Sequence, residues 1–227
     1  MRRYIIPVIF GLAGAAVLVG LGNWQLERLA WKEAILADIR ARISAPPTSL
    51  PETASIDDHR YLPVSISGEI DETVLRVLVS QKQIGAGYRL ISAFDTGTRR
   101  VLLDRGFISV NDPLPAPPEG AVEVTGNLHW PDERLSSTPE NDVTGNIWFA
   151  RDLTPMAEIL KTEPILVVAR KMSVLEPGVT PLPLDISGIP NDHLNYAITW
   201  YSLAVIWLVM TGFFLWRTRQ AEKGKTT

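Results

Sequence analysis

The sequence contains no cysteine. Disulfides, thiolate metal sites and a cysteine nucleophile are therefore excluded. The absence fits an oxidising compartment but does not establish one. Only three histidines (His59, His129, His193) and four methionines are present. They are too few and too dispersed for a copper carrier, because copper(I) wants soft sulfur ligands and the chain offers only scattered thioethers. Net charge is −3, so nothing electrostatic points to nucleic acid. Enzyme signatures are also missing: there is no GxSxG elbow, no HExxH, no P-loop and no GxGxxG. No internal repeat is visible.

What the chain does have is two long uncharged runs. Its 227 residues suit one globular domain of about 150 residues plus two membrane segments. After the short basic stretch Met1–Arg3, residues 4–26 carry no charge and are rich in Ala, Gly, Val, Leu and Ile. A cleaved secretory signal, with Ala13–Ala16 imitating a cleavage site, is one reading. The run exceeds a typical signal core, and it reads better as a full span. Gly11, Gly14 and Ala15 supply small residues that let another helix approach. Nothing before Tyr4 is long enough for a mitochondrial transit peptide, which points to a bacterial protein or a processed mature form. The second run, residues 194–216, is 23 residues without a charged side chain. As a helix it measures about 34 Å, enough to cross a hydrocarbon core.

Orientation follows from the second span. Nothing basic lies between Ser173 and His193, whereas Arg217, Arg219, Lys223 and Lys225 follow it. The positive-inside rule makes residues 217–227 a cytoplasmic tail. The first span alone points the other way, with Arg2 and Arg3 before it but Arg28, Lys32, Arg40 and Arg42 after it. Two spans with the C-terminus inside require the N-terminus inside as well, so residues 27–190 face the outer side.

That middle segment begins as a continued helix, with Leu29, Ile35, Leu36, Ile39 and Ile43 near one face, ended by Pro46, Pro47 and Pro51. Tyr61–Ile70 alternates Leu62, Val64 and Ile66 with polar neighbours and predicts a strand; Val74–Ser80 predicts a second. Gly85 and Gly87 mark a structural turn. Tyr88–Phe94 and Arg99–Asp104 predict a hairpin around Asp95–Thr98, extended after Gly106 by Phe107–Val110. Asn111–Gly120, with four prolines, is an extended loop. Val122–Trp130 alternates again, and Asn146–Phe149 and Ile165–Ala169 predict short strands. Leu153–Lys161 predicts a helix with Asp152 or Thr154 as cap and Pro155 in its first turn. Glu176–Pro190 is proline-rich and leads back to the membrane. The expected class is a membrane protein, two transmembrane α-helices flanking a mainly antiparallel β (α+β) extramembrane domain.

Four places invite a chemical reading. Asp57, Asp58 and His59 sit together but in a polar stretch before a strand, where a solvated loop is the simpler account. His129 with Trp130 could stack a ligand, or be a strand-end pair beside Pro131. Trp24, Arg28, Trp31 and Lys32 share one face of a helix leaving the membrane. They read either as an aromatic belt with snorkelling cations or as a cradle for an amphipathic anion, with Arg28 meeting a carboxylate. His193 stands just before the second span. Tyr196, Ala197, Trp200, Ala204 and Trp207 follow it at helical spacings of three, four or seven. Asn191 after Pro190 is the expected N-cap, placing His193 in the first turn. The positive helix end favours the neutral ring a metal ligand must be, against the pull of Asp192. A neutral imidazole with Trp200 two turns below could hold a haem; an interfacial histidine making a hydrogen bond is the plainer alternative.

At these residues the chain resembles the surfeit-locus-one family, assembly factors of haem–copper terminal oxidases. The resemblance is carried by GLGNWQLERLAWK at 20–32, GYRLISAF at 87–94, LLDRGFISV at 102–110, VTGNLHWP at 124–131, NIWFARDL at 146–153 and NDHLNYAITWYSLA at 191–204. Phe107 stands where the family usually has Trp. The resemblance implies a multi-pass protein of the bacterial inner membrane with its central domain periplasmic (the mitochondrial inner membrane if eukaryotic). It implies a non-enzymatic chaperone that receives haem a and assists its insertion into oxidase subunit I, with haem a synthase as a further candidate partner. The family's haem-iron ligand falls on His193 and its nearby tryptophan on Trp200. Trp24, Arg28, Tyr196 and Arg105 match motif positions. A scaffold that stabilises subunit I without binding haem is the competing reading. A membrane-anchored hydrolase, needing a pocket of His59, Asp104 and a serine, is a third.

Overall fold

The computed structural model describes residues 2–81 and 85–223. It separates into two compact units: one of Met1–Asp38 with Ser187–Thr227, the other of Ile39–Ile186. The helical unit is built on α1, Arg2–Ser44, and α4, His193–Lys223. Both are long and apolar enough to cross a membrane. Only 17% and 6% of their most apolar windows are buried, so neither is the covered core helix of a soluble domain. Pro7 lies inside α1, past its first turn, where it removes one i→i−4 hydrogen bond. The chain is thus a two-span membrane protein with an α+β domain between the spans.

That domain is a five-stranded closed barrel in the order β1-β2-β3-β5-β4. Its strands are β1 (Pro63–Gln81), β2 (Gly85–Asp95), β3 (Arg100–Ser109), β4 (Val122–His129) and β5 (Glu163–Met172). Two short helices accompany them, α2 (Ile56–His59) and α3 (Leu153–Leu160). The two strands expected at Tyr61–Ile70 and Val74–Ser80 are one strand, β1, with an irregularity between Ile70 and Val74. It pairs with β4 through its first half and with β2 through its second, which is how one strand closes a barrel. The β2–β3 hairpin forms as expected, with Asp95 opposite Arg100. All pairings are antiparallel except β3–β5, which is parallel.

The strand period of two sorts the core into two layers. Val64, Ile66, Phe94, Leu103, Val124 and Val167, drawn from all five strands, fill the barrel. Leu75, Val77, Ile91, Leu102, Leu166 and Val168 point the other way and are covered by Trp148 and by Met156, Ala157 and Leu160 of α3. β3 and β5 are therefore buried on both faces, and this explains the adjacent apolar residues at 101–103 and 165–169.

Three expectations need correction. Asn146–Phe149 is no regular strand: Trp148 makes an isolated parallel bridge to Val77, donating its N–H to Arg76 O at 2.9 Å and accepting from Leu78 N at 2.8 Å. Gly87 lies within β2 opposite Ser109, not in a turn; a Cβ there would lie 2.2 Å from the Phe107 ring, so a glycine is needed for that ring to pack. The tip expected around Gly85 falls largely on residues 82–84, outside the described residues. Asp152 occupies the N-cap of α3 but its side chain does not cap, because its carboxylate is taken by Arg134 and Asn141, both at 2.5 Å.

Candidate functional site

The seam of the helical unit follows from two stripes of small or partly buried residues. On α1 these are Gly11, Ala15, Leu18, Gly22, Gln25 and Leu29; on α4 they are His193, Ala197, Trp200, Ala204, Trp207 and Thr211. Both stripes step by four and three, the 3.5-residue period of helices that stay in contact. Glycine and alanine let the backbones close. A Cβ on Gly14 would sit 2.5 Å from the Trp207 indole, and one on Gly22 would sit 2.6 Å from the Tyr201 ring. The small residues read as open to another helix are thus filled by the chain's own second span. Polar bonds lock the seam: Trp207 Nε1 donates to Gly11 O at 2.9 Å, and Tyr201 Oη donates to Asn23 Oδ1 at 2.6 Å.

His193 is the first residue of α4 and of its stripe. Asn191 does not cap this helix; its Oδ1 is buried with no hydrogen-bond partner among the described residues, and Tyr196 N–H bonds Asp192 O at 3.2 Å, which makes Asp192 the cap position. The half-buried imidazole places Nδ1 2.8 Å from Gln25 Oε1. An amide oxygen only accepts, so Nδ1 carries the proton. In a neutral ring Nε2 is then the nitrogen with the lone pair, and among the described residues no hydrogen bond to it is found. One imidazole nitrogen without a hydrogen bond is a donor set that would fit a single bond to a haem iron. Among the described residues no group of three or more His, Asp or Glu side chains forms a protein-only metal site.

The other expected site residues divide. Trp200 lies on the same face two turns along and is half-buried. Tyr196, placed in the stripe by spacing, is 55% exposed and turns outward; Ala197, 1% exposed, holds the seam instead. Trp24 is 54% exposed beside buried Gln25. Arg28 is exposed, its guanidinium stacked 3.9 Å over the Trp31 ring, the cation–π pairing of an interfacial belt. Gln25 is the residue the sequence reading missed. The available signal was an amide standing inside an otherwise apolar stretch.

In the barrel the remaining candidates are structural. Asp57 and Asp58 are exposed on α2, a single helical turn rather than a loop; Ser55 Oγ caps it by accepting from Asp58 N–H at 3.3 Å, and His59 Nδ1 accepts from Ser55 N–H at 3.1 Å. His129 stacks on Tyr61 with centroids 5.9 Å apart. Burial, aided by the Arg151 and Arg60 charges, pushes its pKa down to about 3. Trp130 lines an open cavity of about 670 Å³ in which Arg60 and Arg151 are offset by Asp132 and Asp152, so no one sign of ligand is selected. Asp104 is fully buried and spent on Arg89, Arg151 and the Gly106 N–H. Arg105 is equally buried and bonds Glu176 in the segment after β5. Gly106 has φ +128, and a Cβ there would meet Thr180 O at 2.4 Å. The Asp-Arg-Gly run of β3 thus serves the barrel's internal wiring rather than a ligand.

Comparison with known proteins adds an independent line. The profile of the SURF1 family matches residues 12–205. The chain is 29% identical over 208 residues to surfeit locus protein 1 of Xenopus tropicalis, covering 81% of this chain and 67% of that one. It is 28% identical over 210 residues to surfeit locus protein 1 of Homo sapiens, covering 82% and 69%. A SURF1-like protein of Rickettsia felis is 30% identical over 206 residues, covering 86% of this chain and 90% of its own.

Proposed function

The chain belongs to the SURF1 family, and from that premise we propose that it is a non-enzymatic assembly factor for a haem–copper terminal oxidase, one that holds haem a and passes it to subunit I. The observation that carries the reading is the His193 ring: half-buried at the head of an apolar helix, with Nδ1 held by Gln25 and Nε2 without a hydrogen bond among the described residues. His193 would supply the nitrogen that holds the iron. Trp200 supplies an aromatic wall two turns along the same face. Tyr196 and Trp24 add exposed rings, and Arg28 the charge for a propionate, at the cost of leaving Trp31. A bound haem would supply a Lewis-acidic iron, and the His193 imidazole would be the residue that holds it. The barrel is assigned to the periplasmic side and the basic tail to the cytoplasm, on the charge asymmetry around α4.

A cofactor-free scaffold has one observation in its favour. Trp207, part of the same stripe as Trp200, is committed to Gly11 and Gly14, so some of the stripe serves helix pairing alone. The test is an absorption spectrum of detergent-purified protein from cells that make haem a. The wild type should carry a haem spectrum and His193→Ala should lose most of it. Equal haem in both, or oxidase subunits recovered with no stoichiometric haem, would replace the carrier with the scaffold.

A further inference from the structure

We infer that Gln25 is a positioning residue for His193: its Oε1 accepts the Nδ1 proton and thereby selects the ring tautomer whose Nε2 can bind iron. A neutral imidazole has one N–H and one lone pair, and nothing in the isolated residue directs which nitrogen carries which. Gln25 does so at 2.8 Å. Were the proton on Nε2, the nitrogen without a hydrogen bond among the described residues would be a donor, and no metal bond could form there.

Gln25 is placed for this by the seam. It is 9% exposed, while its neighbours Trp24 and Leu26 are 54% and 40% exposed. A buried amide in an apolar helix pair needs a partner, and its partner is the ring. Gly22 and Ala197 let the backbones close at this level, and the Tyr201–Asn23 bond fixes rotation and register close by. The hydrogen bond also does more than orient. Donating Nδ1–H to an oxygen increases the basicity of Nε2, as the outer partners of histidine ligands do in metal sites generally.

The tautomer claim stands on the hydrogen bond alone; its consequence for iron rests on the proposed function, and the experiment separates the two. Long-range ¹H–¹⁵N correlation spectra of ¹⁵N-histidine-labelled, haem-free full-length protein in detergent micelles report the tautomer of each ring, with His193 assigned by its loss in His193→Ala. The wild type should show the proton on Nδ1 of His193. Gln25→Leu, of similar bulk but without an acceptor, should lose that pattern and bind haem a about 10–100-fold more weakly, the usual effect of removing such a partner. Gln25→Glu keeps the acceptor and should retain both the tautomer and the affinity, losing less than the roughly 10-fold that removal of the partner costs; it guards against Gln25→Leu failing to fold. A wild-type His193 protonated on Nε2, or an unchanged Nδ1–H pattern in Gln25→Leu, overturns the inference. If Gln25→Leu shifts the tautomer while His193→Ala still binds haem at full affinity, the positioning role stands and the ligand assignment falls.

Discussion

The barrel buries a set of charges whose balance can be tested with one atom-for-atom substitution. Arg89, Arg105 and Arg151 face the buried Asp104 and Glu176 and the exposed Glu133, three guanidinium groups against three carboxylates. Within the set, the Arg105 and Glu176 side chains are only 0% and 4% exposed. Arg105 Nε donates to Glu176 Oε2 at 3.0 Å, Nη2 donates to Oε1, and Nη1 donates to Ser92 Oγ at 3.3 Å. Glu176→Gln keeps the shape and removes the charge. A buried guanidinium is then uncompensated, which costs about 3–5 kcal/mol. Against a domain stability of about 5–15 kcal/mol that is a large fraction. For a unit of about 150 residues it lowers the melting temperature by roughly 6–20 °C, at about 2–4 °C per kcal/mol.

The assay is thermal unfolding of the full chain in detergent, followed by near-ultraviolet circular dichroism. The discriminating control is the double variant Arg105→Met/Glu176→Met. It removes both charges and should recover much of the loss, because a buried pair replaced by apolar groups is often neutral. If Glu176→Gln melts within about 1 kcal/mol of wild type, the guanidinium has found water or another partner. If the double variant is as unstable as the two single variants added together, packing rather than charge holds this segment. Either result refutes the reasoning.

Two further outcomes follow. His129 is held neutral by burial, with its pKa lowered from 6.5 to about 3; the unfolded ring protonates below 6.5 and the folded ring does not, so stability falls as pH drops through that window, by up to about 1.4 kcal/mol per unit. His129→Phe keeps the stack on Tyr61 and should flatten the dependence of the urea midpoint between pH 6.5 and 4.5; an unchanged slope assigns the effect to other groups. In the helical unit, Gly14→Ala forces a Cβ 2.5 Å from the Trp207 indole, whereas Gly20→Ala meets nothing within 4 Å among the described residues. In titrations with a denaturing detergent, Gly14→Ala should cost about 1–3 kcal/mol from overpacking, while Gly20→Ala should be neutral or gain up to about 1 kcal/mol of helix propensity. Equal behaviour of the two would mean that the glycine seam is not what holds the spans together.

Much of this fold is legible in the sequence because faces are periodic. Val64 and Ile66, Val122 and Val124, and Leu102 against Leu103 declare which way each strand presents its side chains. Neighbours are another matter. Period two says nothing about which strand lies alongside which, so the parallel β3–β5 pair and the closure of β1 onto both β2 and β4 were out of reach. Asn146–Phe149 misled for a related reason. Trp148 is an anchor placed on the outside of β1, and an anchor flanked by apolar residues looks like a strand.

The helical site divides along the same line. His193 was visible as a lone ring heading an uncharged run, but its partner lies 168 residues away, and no local pattern links two such positions. Tyr196 against Ala197 was decidable. Both fall one turn from His193, three and four residues on, and spacing treats them alike. A seam between spans favours small side chains, because the apolar solvent gives no reward for burying a large one and backbone approach gives one for a small. By that rule alanine takes the seam and tyrosine faces outward, and Gln25 becomes readable as well: a buried amide on the seam of the first span must meet something polar on the second, and at that end of the second span His193 stands first in its stripe.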